Sequence, residues 1–401
     1  MRPLFSDHLY EAVRVGVNYI RSLAAVFFNK QGKKTRQWYF KKDFKTAAKF
    51  LGRDEKMSIK KITKSAFSDF VDKLISTEKV IGVQAKGDRF AFEPLSSAKD
   101  LRLDYDVTLL PPKKFFQPPV EALLTYEIQE VYKSCYDAEK FILIGVHPYD
   151  MVALNQMEKI FAGDNADNHY LQRRRNATIV ACDVVTASKN VFASCMGTAT
   201  VKEGFDVLLT DTGQFYVAEA ATEKGQTLLD KAVEAVDAGA EDLNKRQQVW
   251  QDNEKRLNKH QLKCRPSDLP RLLEKAYEHP VFEEKAKSCF SCGSCTQVCP
   301  TCYCFDVQDE IDWNLKTGKR TRRWDGCMLD GFTKVAGGHE FRQDRADRFR
   351  HRIYRKGKYV PAKIDGQIAC VGCGRCVDAC LVDIANPVNV YNRLIEDIGI
   401  K

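Results

Sequence analysis

From residue 58 onwards, the spacing of apolar residues predicts alternating helices and strands. A helix is predicted where apolar residues recur at helical spacing. These residues are Ile59, Ile62, Phe67, Phe70, Val71 and Leu74. Residues 80–94 instead alternate between apolar and polar, with Lys86, Gly87 and Asp88 at the centre, which predicts a β-hairpin.

The same two patterns continue after a proline-rich loop at 111–119. The predicted elements are a helix at 120–134, a strand at 141–146, a helix from 147 to 160, a strand at 177–185 and a hairpin at 205–220. The hairpin turns at Asp211, Thr212 and Gly213. Strands that alternate with helices predict a mixed α/β (α+β) domain over 57–238.

The remaining segments differ in character from this domain. Residues 1–56 are expected to form an amino-terminal helical extension, whose apolar face at 5–28 could bind a partner or pack within the chain. Residues 239–286 are highly charged and have helical periodicity, so they predict a helical connector. Residues 287–401 are expected to form a separate, cysteine-rich domain.

That last region contains two copies of the spacing C-x2-C-x2-C-x3-C. The first copy consists of Cys289, Cys292, Cys295 and Cys299, and the second of Cys370, Cys373, Cys376 and Cys380. This spacing binds cubane iron–sulfur clusters, and in proteins with two clusters the fourth cysteine of each copy ligates the other cluster. Glycines at 293, 372 and 374 allow the tight turns that such loops need. The proline that follows Cys299 is replaced by Leu381 after the second copy.

The motifs therefore predict two [4Fe–4S] clusters with crossed ligation. The first cluster would be bound by Cys289, Cys292, Cys295 and Cys380, and the second cluster by Cys370, Cys373, Cys376 and Cys299. Zinc is the alternative metal, but zinc ligands usually come as separated pairs. Fifteen cysteines in 401 residues are too few for a disulfide-stabilised miniprotein.

The 70 residues between the two motifs are too many for a compact ferredoxin built on β-hairpins. Segments 309–315 and 341–354 have helical composition. The sequence therefore predicts an all-helical two-cluster ferredoxin-like domain over 287–401.

The net charge of +9 is concentrated between the motifs, where 319–358 contains thirteen Lys and Arg against five Asp and Glu. A basic segment often binds nucleic acid, but here the predicted clusters are anions that lie closer, and the segment could compensate their charge. The segment could also be a solvated helix face or a docking patch for an acidic partner. Nucleic acid binding is not expected.

Composition also restricts where the protein acts. No uncharged apolar stretch approaches the roughly 20 residues needed to span a bilayer. Many free thiols and oxygen-sensitive clusters favour a reducing, cytoplasmic location.

Several segments together resemble a known family. They are 289–304 (CFSCGSCTQVCPTCYC), 323–327 (RWDGC), 336–339 (AGGH), 370–376 (CVGCGRC), 110–121 (LPPKKFFQPPVE) and 145–150 (GVHPYD). In this order they resemble the iron–sulfur subunit that anaerobic sulfite reductases share with cytoplasmic [NiFe] sulfhydrogenases, where it is the β subunit. The resemblance covers roughly residues 57 to 386.

The resemblance implies an electron-transfer subunit in a heteromeric oxidoreductase complex. Its partners would be a flavin- and NAD(P)H-binding or ferredoxin-linked subunit and a catalytic reductase or hydrogenase subunit. The family pattern has cysteines at the positions of Tyr149, Val191 and Ala193, so any further cluster those cysteines bind in relatives is expected to be absent here.

Other candidate residues have two interpretations each. Cys302 and Cys304 could line a cluster pocket or replace a ligand, and Cys327 could approach a cluster or pack. Cys182 and Cys195 are interpreted as buried thiols. Further candidates are His147 and Asp150 after a strand, His339, and Arg173, Arg174 and Arg175.

Three functions remain open on the sequence. The first is an electron-transfer subunit, probed by its iron and sulfide content. The second is a catalytic enzyme whose α/β domain binds a flavin or a thiol substrate, although the sequence has no dinucleotide, phosphate-binding or nucleophile-elbow motif. The third is a cluster-based redox sensor or scaffold.

Overall fold

The computed structural model describes residues 57–137 and 139–400, and the expected extension at 1–56 lies outside these residues. Strands of the described chain form two sheets. They are β1 (Ile59–Thr63), β2 (Val80–Lys86), β3 (Arg89–Pro94), β4 (Val120–Glu127), β5 (Val131–Ser134), β6 (Phe141–Val146), β7 (Ala177–Cys182), β8 (Val207–Asp211), β9 (Phe215–Ala220), β10 (Val236–Asp237), β11 (Phe305–Ile311) and β12 (Thr317–Trp324).

The larger sheet has eight strands in the order β10-β1-β9-β8-β7-β6-β2-β3. Strands β2, β6, β7 and β8 are parallel, and the others pair antiparallel at the two sides. Every residue of the central strand β6 is buried. A parallel strand covered on both faces is typically a continuous apolar run, as this one is.

Helices connect and cover these strands. They are α1 (Lys64–Thr77), α2 (Pro148–Phe161), α3 (Asn168–Asn176), α4 (Glu223–Asp230), α5 (Ala240–Arg256), α6 (Leu269–Glu274), α7 (Val281–Lys287), α8 (Ser294–Gln297), α9 (Arg345–Tyr354), α10 (Arg375–Asp378) and α11 (Pro387–Ile398). Local sequence explains where they begin. Thr63 caps α1, since its side chain accepts a hydrogen bond from Ala66 N at 3.1 Å, and Pro148 occupies the first turn of α2.

Most of the elements predicted before the cysteine motifs are present. The hairpins β2–β3 and β8–β9, the strands β6 and β7, and the helix α2 agree with the apolar pattern. The first predicted helix begins later than expected, because Ile59 and Ile62 belong to β1 and pair with β9. The sequence thus predicted the mixed α/β region.

The prediction of a helix at 120–134 was wrong, because these residues form the antiparallel strands β4 and β5. The second sheet has the order β11-β12-β4-β5, so β4 is bonded on both sides. Its partner β12 comes from the region between the cysteine motifs, far along the chain. Pairing with a distant strand overrides local helix preference.

The cysteine-rich region had been predicted to be all helical, but it also contains the strands β11 and β12. Segment 309–315 contributes to β11 and to the turn before β12. Its charged residues form cross-strand pairs, with Arg320 Nε 2.8 Å from Asp309 Oδ1 and Lys319 Nζ 3.1 Å from Glu310 Oε2. Such pairs stabilise an exposed hairpin although the same composition is common in helices.

A buried ion network joins this hairpin to the α/β region. Glu121 of β4 accepts hydrogen bonds from Arg173 Nη1 at 2.6 Å and from Arg322 Nε at 2.8 Å. Arg322 also contacts Asp167 at the start of α3. The side chains of Glu121, Arg173 and Arg322 are 4%, 7% and 3% exposed, so each charge depends on its partners rather than on water.

The described residues from 57 to 400 form one compact unit, in which these contacts connect the two sheets. In the described part of the chain, no helix is both long and apolar enough to cross a membrane.

We predict that Glu121→Gln lowers the free energy of unfolding by about 3 kcal/mol, because it leaves two buried guanidinium groups without their shared carboxylate. The measurement is thermal unfolding of anaerobically prepared protein. Asp309→Asn is the matched control, since it removes a carboxylate from the exposed pair with Arg320, which contributes less than about 1 kcal/mol. Equal destabilisation by both variants would contradict the role given to the buried network.

Candidate iron–sulfur site

One pocket is lined by cysteines from both motifs. Cys289, Cys292 and Cys295 of the first motif and Cys380 of the second lie around it. Burial raises the pKa of Cys295, and the charges of the other three cysteines add to the increase. The cysteines predicted for the first cluster are thus close together, and we call them the first thiol group.

Backbone amides and a hydroxyl surround the sulfur atoms of this group. Ser291 N donates to Cys289 Sγ at 3.4 Å, and Ile384 N donates to Cys380 Sγ at the same distance. A hydrogen bond with Ser294 lowers the pKa of the Cys292 thiol. Donors of this kind stabilise thiolates and are common around iron–sulfur clusters.

The remaining predicted ligands form a second thiol group, namely Cys299, Cys370, Cys373 and Cys376. Burial raises the pKa of Cys370, Cys373 and Cys376 to about 12, and the charge of Cys299 adds to the increase for all three. Cys299, from the first motif, therefore lies near the three cysteines of the second loop.

The two thiol groups are neighbours. Cys295 and Cys380 of the first group pack with Cys376 of the second in one apolar cluster that also includes Ala385. A pair of clusters bound at these positions would be close to each other in low-dielectric surroundings, which is the arrangement that electron transfer between them requires.

Close backbone contacts fix the second loop against the α/β region. Gly372 O accepts a hydrogen bond from Phe192 N at 2.7 Å, and Val371 O accepts one from Thr198 Oγ1 at 2.7 Å. Gly374 has a φ of +82°, and a Cβ there would lie 2.5 Å from Asn190 O. This position thus excludes any side chain.

A buried ion pair next to Cys376 also connects the second cysteine loop to the α/β region. Arg375 Nη1 and Nη2 each lie 2.6 Å from a carboxylate oxygen of Asp150, and Arg375 Nε donates to Thr108 O. Although burial alone would lower the pKa of Arg375, the charge of Asp150 holds it above its usual range. This bidentate pair orients the second cysteine loop.

The candidate residues His147 and Asp150 are both fully buried, and Asp150 is the residue that binds Arg375. His147 Nδ1 is 2.7 Å from the hydroxyl of Tyr149, and burial lowers the pKa of His147 well below its usual value. Tyr149 packs with Val191, Ala193 and Cys373. The three positions where the family pattern has cysteines are thus gathered beside the second thiol group, but here they are part of an apolar core.

The other cysteines occupy different environments. Cys302 is buried beside Cys299, and their hydrogen bond lowers the pKa of Cys299 and raises that of Cys302. Burial raises the pKa of Cys327 to about 11 and that of Cys182 still higher. Cys195 donates to Phe192 O at 3.2 Å, as a packed thiol does.

The sequence did not reveal two residues that hold the cysteine loops in place. One is Arg375, which the sequence shows only as the residue before Cys376. The other is Lys113, whose Nζ donates to Cys302 O at 2.6 Å and lies 4.1 Å from the centre of the Trp324 ring. Burial lowers the pKa of Lys113 to about 8. Two adjacent lysines between proline pairs were a signal that could have drawn attention to it.

The donor sets suit soft metal centres, because thiolates are the ligands of iron–sulfur clusters. Arg352 provides an independent indication, since it is buried near both thiol groups and its Nη1 has no hydrogen-bond partner in the described structure. A buried cation beside two groups of cysteines fits anionic clusters. Within 57–137 and 139–400, no three His, Cys, Asp or Glu side chains are arranged to hold a single metal ion.

Comparisons with known proteins agree with this chemistry. A family model described as a 4Fe-4S dicluster domain matches residues 288–384, a range that includes all eight predicted ligands. The chain is also 33% identical over 340 residues to the sulfhydrogenase 2 subunit beta of Pyrococcus furiosus, which covers 84% of this chain and 98% of that protein. The chain belongs to the sulfhydrogenase β subunit family of iron–sulfur proteins. The family resemblance found in the sequence is confirmed.

We predict that the substitution Gly374→Ala lowers the iron content of this protein more than the substitution Gly293→Ala does. Both glycines follow the second cysteine of their motif and have positive φ, so the backbone strain is similar. A Cβ at 374 meets the fixed carbonyl of Asn190, whereas one at 293 meets the flexible side chain of Leu329 at 2.6 Å. Equal iron content in the two variants, measured after anaerobic purification, would contradict the prediction.

Proposed function

We propose that this chain is an electron-transfer subunit that carries two [4Fe–4S] clusters with crossed ligation. The first cluster would be held by Cys289, Cys292, Cys295 and Cys380, and the second by Cys370, Cys373, Cys376 and Cys299. The observation that most supports this is the pocket lined by three cysteines of one motif and the last cysteine of the other. Crossed ligation is typical of two-cluster ferredoxin domains.

The clusters would supply reversible one-electron chemistry, and the chain would supply their surroundings. Its residues exclude water, orient the thiolates through amide donors and fix the second loop through Arg375 and Asp150. These contributions set the potential and the position of a cluster but carry out no reaction on a substrate. We therefore propose a non-catalytic subunit, organised as an α/β domain at 57–238, a connector at 239–286 and a cluster domain at 287–401.

The partners are proposed from the family. The Pyrococcus furiosus relative is named as one subunit of a sulfhydrogenase, so this chain too would act in a heteromeric complex. One partner would bind a flavin and NAD(P)H or accept electrons from ferredoxin, and the other would be a catalytic reductase or hydrogenase. We place the complex in the cytoplasm of an anaerobic cell, without a role in nucleic acid binding.

Anaerobically purified protein should contain about eight iron and eight sulfide per chain. The double variant Cys289→Ala/Cys380→Ala tests the crossed assignment. If both residues bind the same cluster, about four iron atoms remain, whereas ligation within each motif would damage both clusters and leave almost none. Cys182→Ala is the control, since that thiol is buried in β7 and is not one of the proposed ligands.

Affinity purification of the native complex tests the partners. Co-purification of a nickel protein would indicate a hydrogenase, and co-purification of a sirohaem protein would indicate a sulfite reductase. Absence of any redox partner from an intact, iron-loaded preparation would contradict the electron-transfer role and favour a redox sensor.

One observation favours a catalytic alternative. A cleft of about 440 Å³ lies at the carboxyl ends of β7 and β8, where α/β proteins bind small molecules. It is lined by Asp183, Asp211 and Arg256 among others. Flavin that stays bound to the isolated chain, or turnover without partners, would support this alternative.

A further inference from the structure

Arg352 lies between the two thiol groups. Its Nη2 donates to Ala385 O at 3.0 Å, and the Cys376 thiol points to the same carbonyl at 3.8 Å. Ala385 also lines the pocket of the first thiol group, as does Phe349, which precedes Arg352 by one turn of α9. The guanidinium therefore adjoins both proposed clusters.

Lys356 adjoins the second thiol group alone. It lies in a π-helical turn, Arg355–Tyr359, that continues α9. Its Nζ donates to Thr301 Oγ1 at 2.7 Å and to Cys302 Sγ at 3.4 Å. The Thr301 hydroxyl is in turn 3.4 Å from Cys299 Sγ. A short hydrogen-bonded path thus joins the ammonium group to one proposed ligand of the second cluster.

Neither cation has a carboxylate within ion-pair distance among residues 57–137 and 139–400. Arg352 and Lys356 are only 4% and 8% exposed, so their charges are largely removed from water. The other buried arginines in the described part of the chain are paired, as Arg375 is with Asp150. An isolated buried cation is costly unless an anion compensates it.

The cysteines, once they bind clusters as thiolates, would be the available anions. Burial alone would lower the pKa of both residues, but nearby cysteine charges hold both above their usual values. For Arg352 these are mainly Cys295 and Cys376, one from each thiol group. For Lys356 they include Cys299 and Cys370, both from the second group.

We propose that Arg352 raises the reduction potential of both clusters and that Lys356 raises the potential of the second cluster alone. Reduction adds one electron to a cluster that is already anionic. A fixed cation therefore stabilises the reduced form more than the oxidised form, and low-dielectric surroundings strengthen the effect. Both residues act through the clusters and are not catalytic. The inference rests on the proposed function and adds to it which residues set the potential of each cluster.

The experiment is a potentiometric titration of the full, anaerobically purified chain, followed by electron paramagnetic resonance. Lys356→Met should shift the midpoint potential of one cluster to more negative values and leave the other unchanged. Arg352→Met should shift both in the same direction. The Cys289→Ala/Cys380→Ala variant, which keeps the second cluster, identifies which signal belongs to it.

The exposed Lys363 provides the matched control, because Lys363→Met removes the same charge close by in sequence but at the surface. Its potentials should equal those of the unmodified protein. Equal shifts for Lys363→Met and Lys356→Met, or a shift of both clusters in Lys356→Met, would overturn the inference.

Iron and sulfide analysis separates this inference from the proposed function. Protein that folds but holds no clusters would defeat the proposed function itself. Protein with about eight iron atoms and unshifted potentials would defeat only the present inference. If the methionine variants lose their clusters, the variants Arg352→Lys and Lys356→Arg provide the test. They keep the positive charge and should therefore retain the original reduction potentials. Shifted potentials in those charge-retaining variants would overturn the inference.

Discussion

The burial of two groups of cysteines, which would carry negative charge as cluster ligands, is the constraint on which the rest of the structure depends. Thiolates in low-dielectric surroundings are unstable unless donors or cations compensate them. Here amide groups donate to Cys289 and Cys380, and the buried cations Arg352 and Lys356 adjoin the thiol groups with no carboxylate within ion-pair distance among residues 57–137 and 139–400. The excess of Lys and Arg between the motifs is therefore partly an internal feature and not only a surface one.

The α/β region contacts the cysteine-rich region directly and so helps to position the two thiol groups, which a separate domain would not do. Its residues 190–193 contact the second cysteine loop through the backbone, and Asp150 binds Arg375 at the carboxyl end of β6. The hairpin between the cysteine motifs in turn completes the sheet that begins with β4. Each part of residues 57–400 thus restricts the position of the other.

The sequence predicted the elements whose signal is local. Buried runs such as β6 and hairpins with glycine turns were recognised from a few consecutive residues, and motif spacing alone suggested which cysteines belong together. The strands β4 and β12 were missed because these hydrogen-bonding partners are about 200 residues apart in the chain. Strand β11 was missed because its charged residues, which form cross-strand pairs with β12, have a composition that is also common in helices. Periodicity within a segment carries no information about such a partner.

The sequence also could not show which side chains of the site pair with each other. Arg375 could be seen as a residue of the motif, but its pairing with Asp150 depends on a fold that brings residues 225 positions apart within hydrogen-bond distance. The same applies to Lys113 and Cys302. The sequence thus predicted a set of ligands, and the fold determines what surrounds those cysteines.

The pocket that combines Cys289 with Cys380 has a consequence for biosynthesis. Its last cysteine is synthesised after the other three and after β12, the partner of β4. The ribosome must therefore have extruded the chain through Cys380 before these four thiols can meet in one pocket. Until then, the cysteines of the first motif have to remain reduced in the nascent chain.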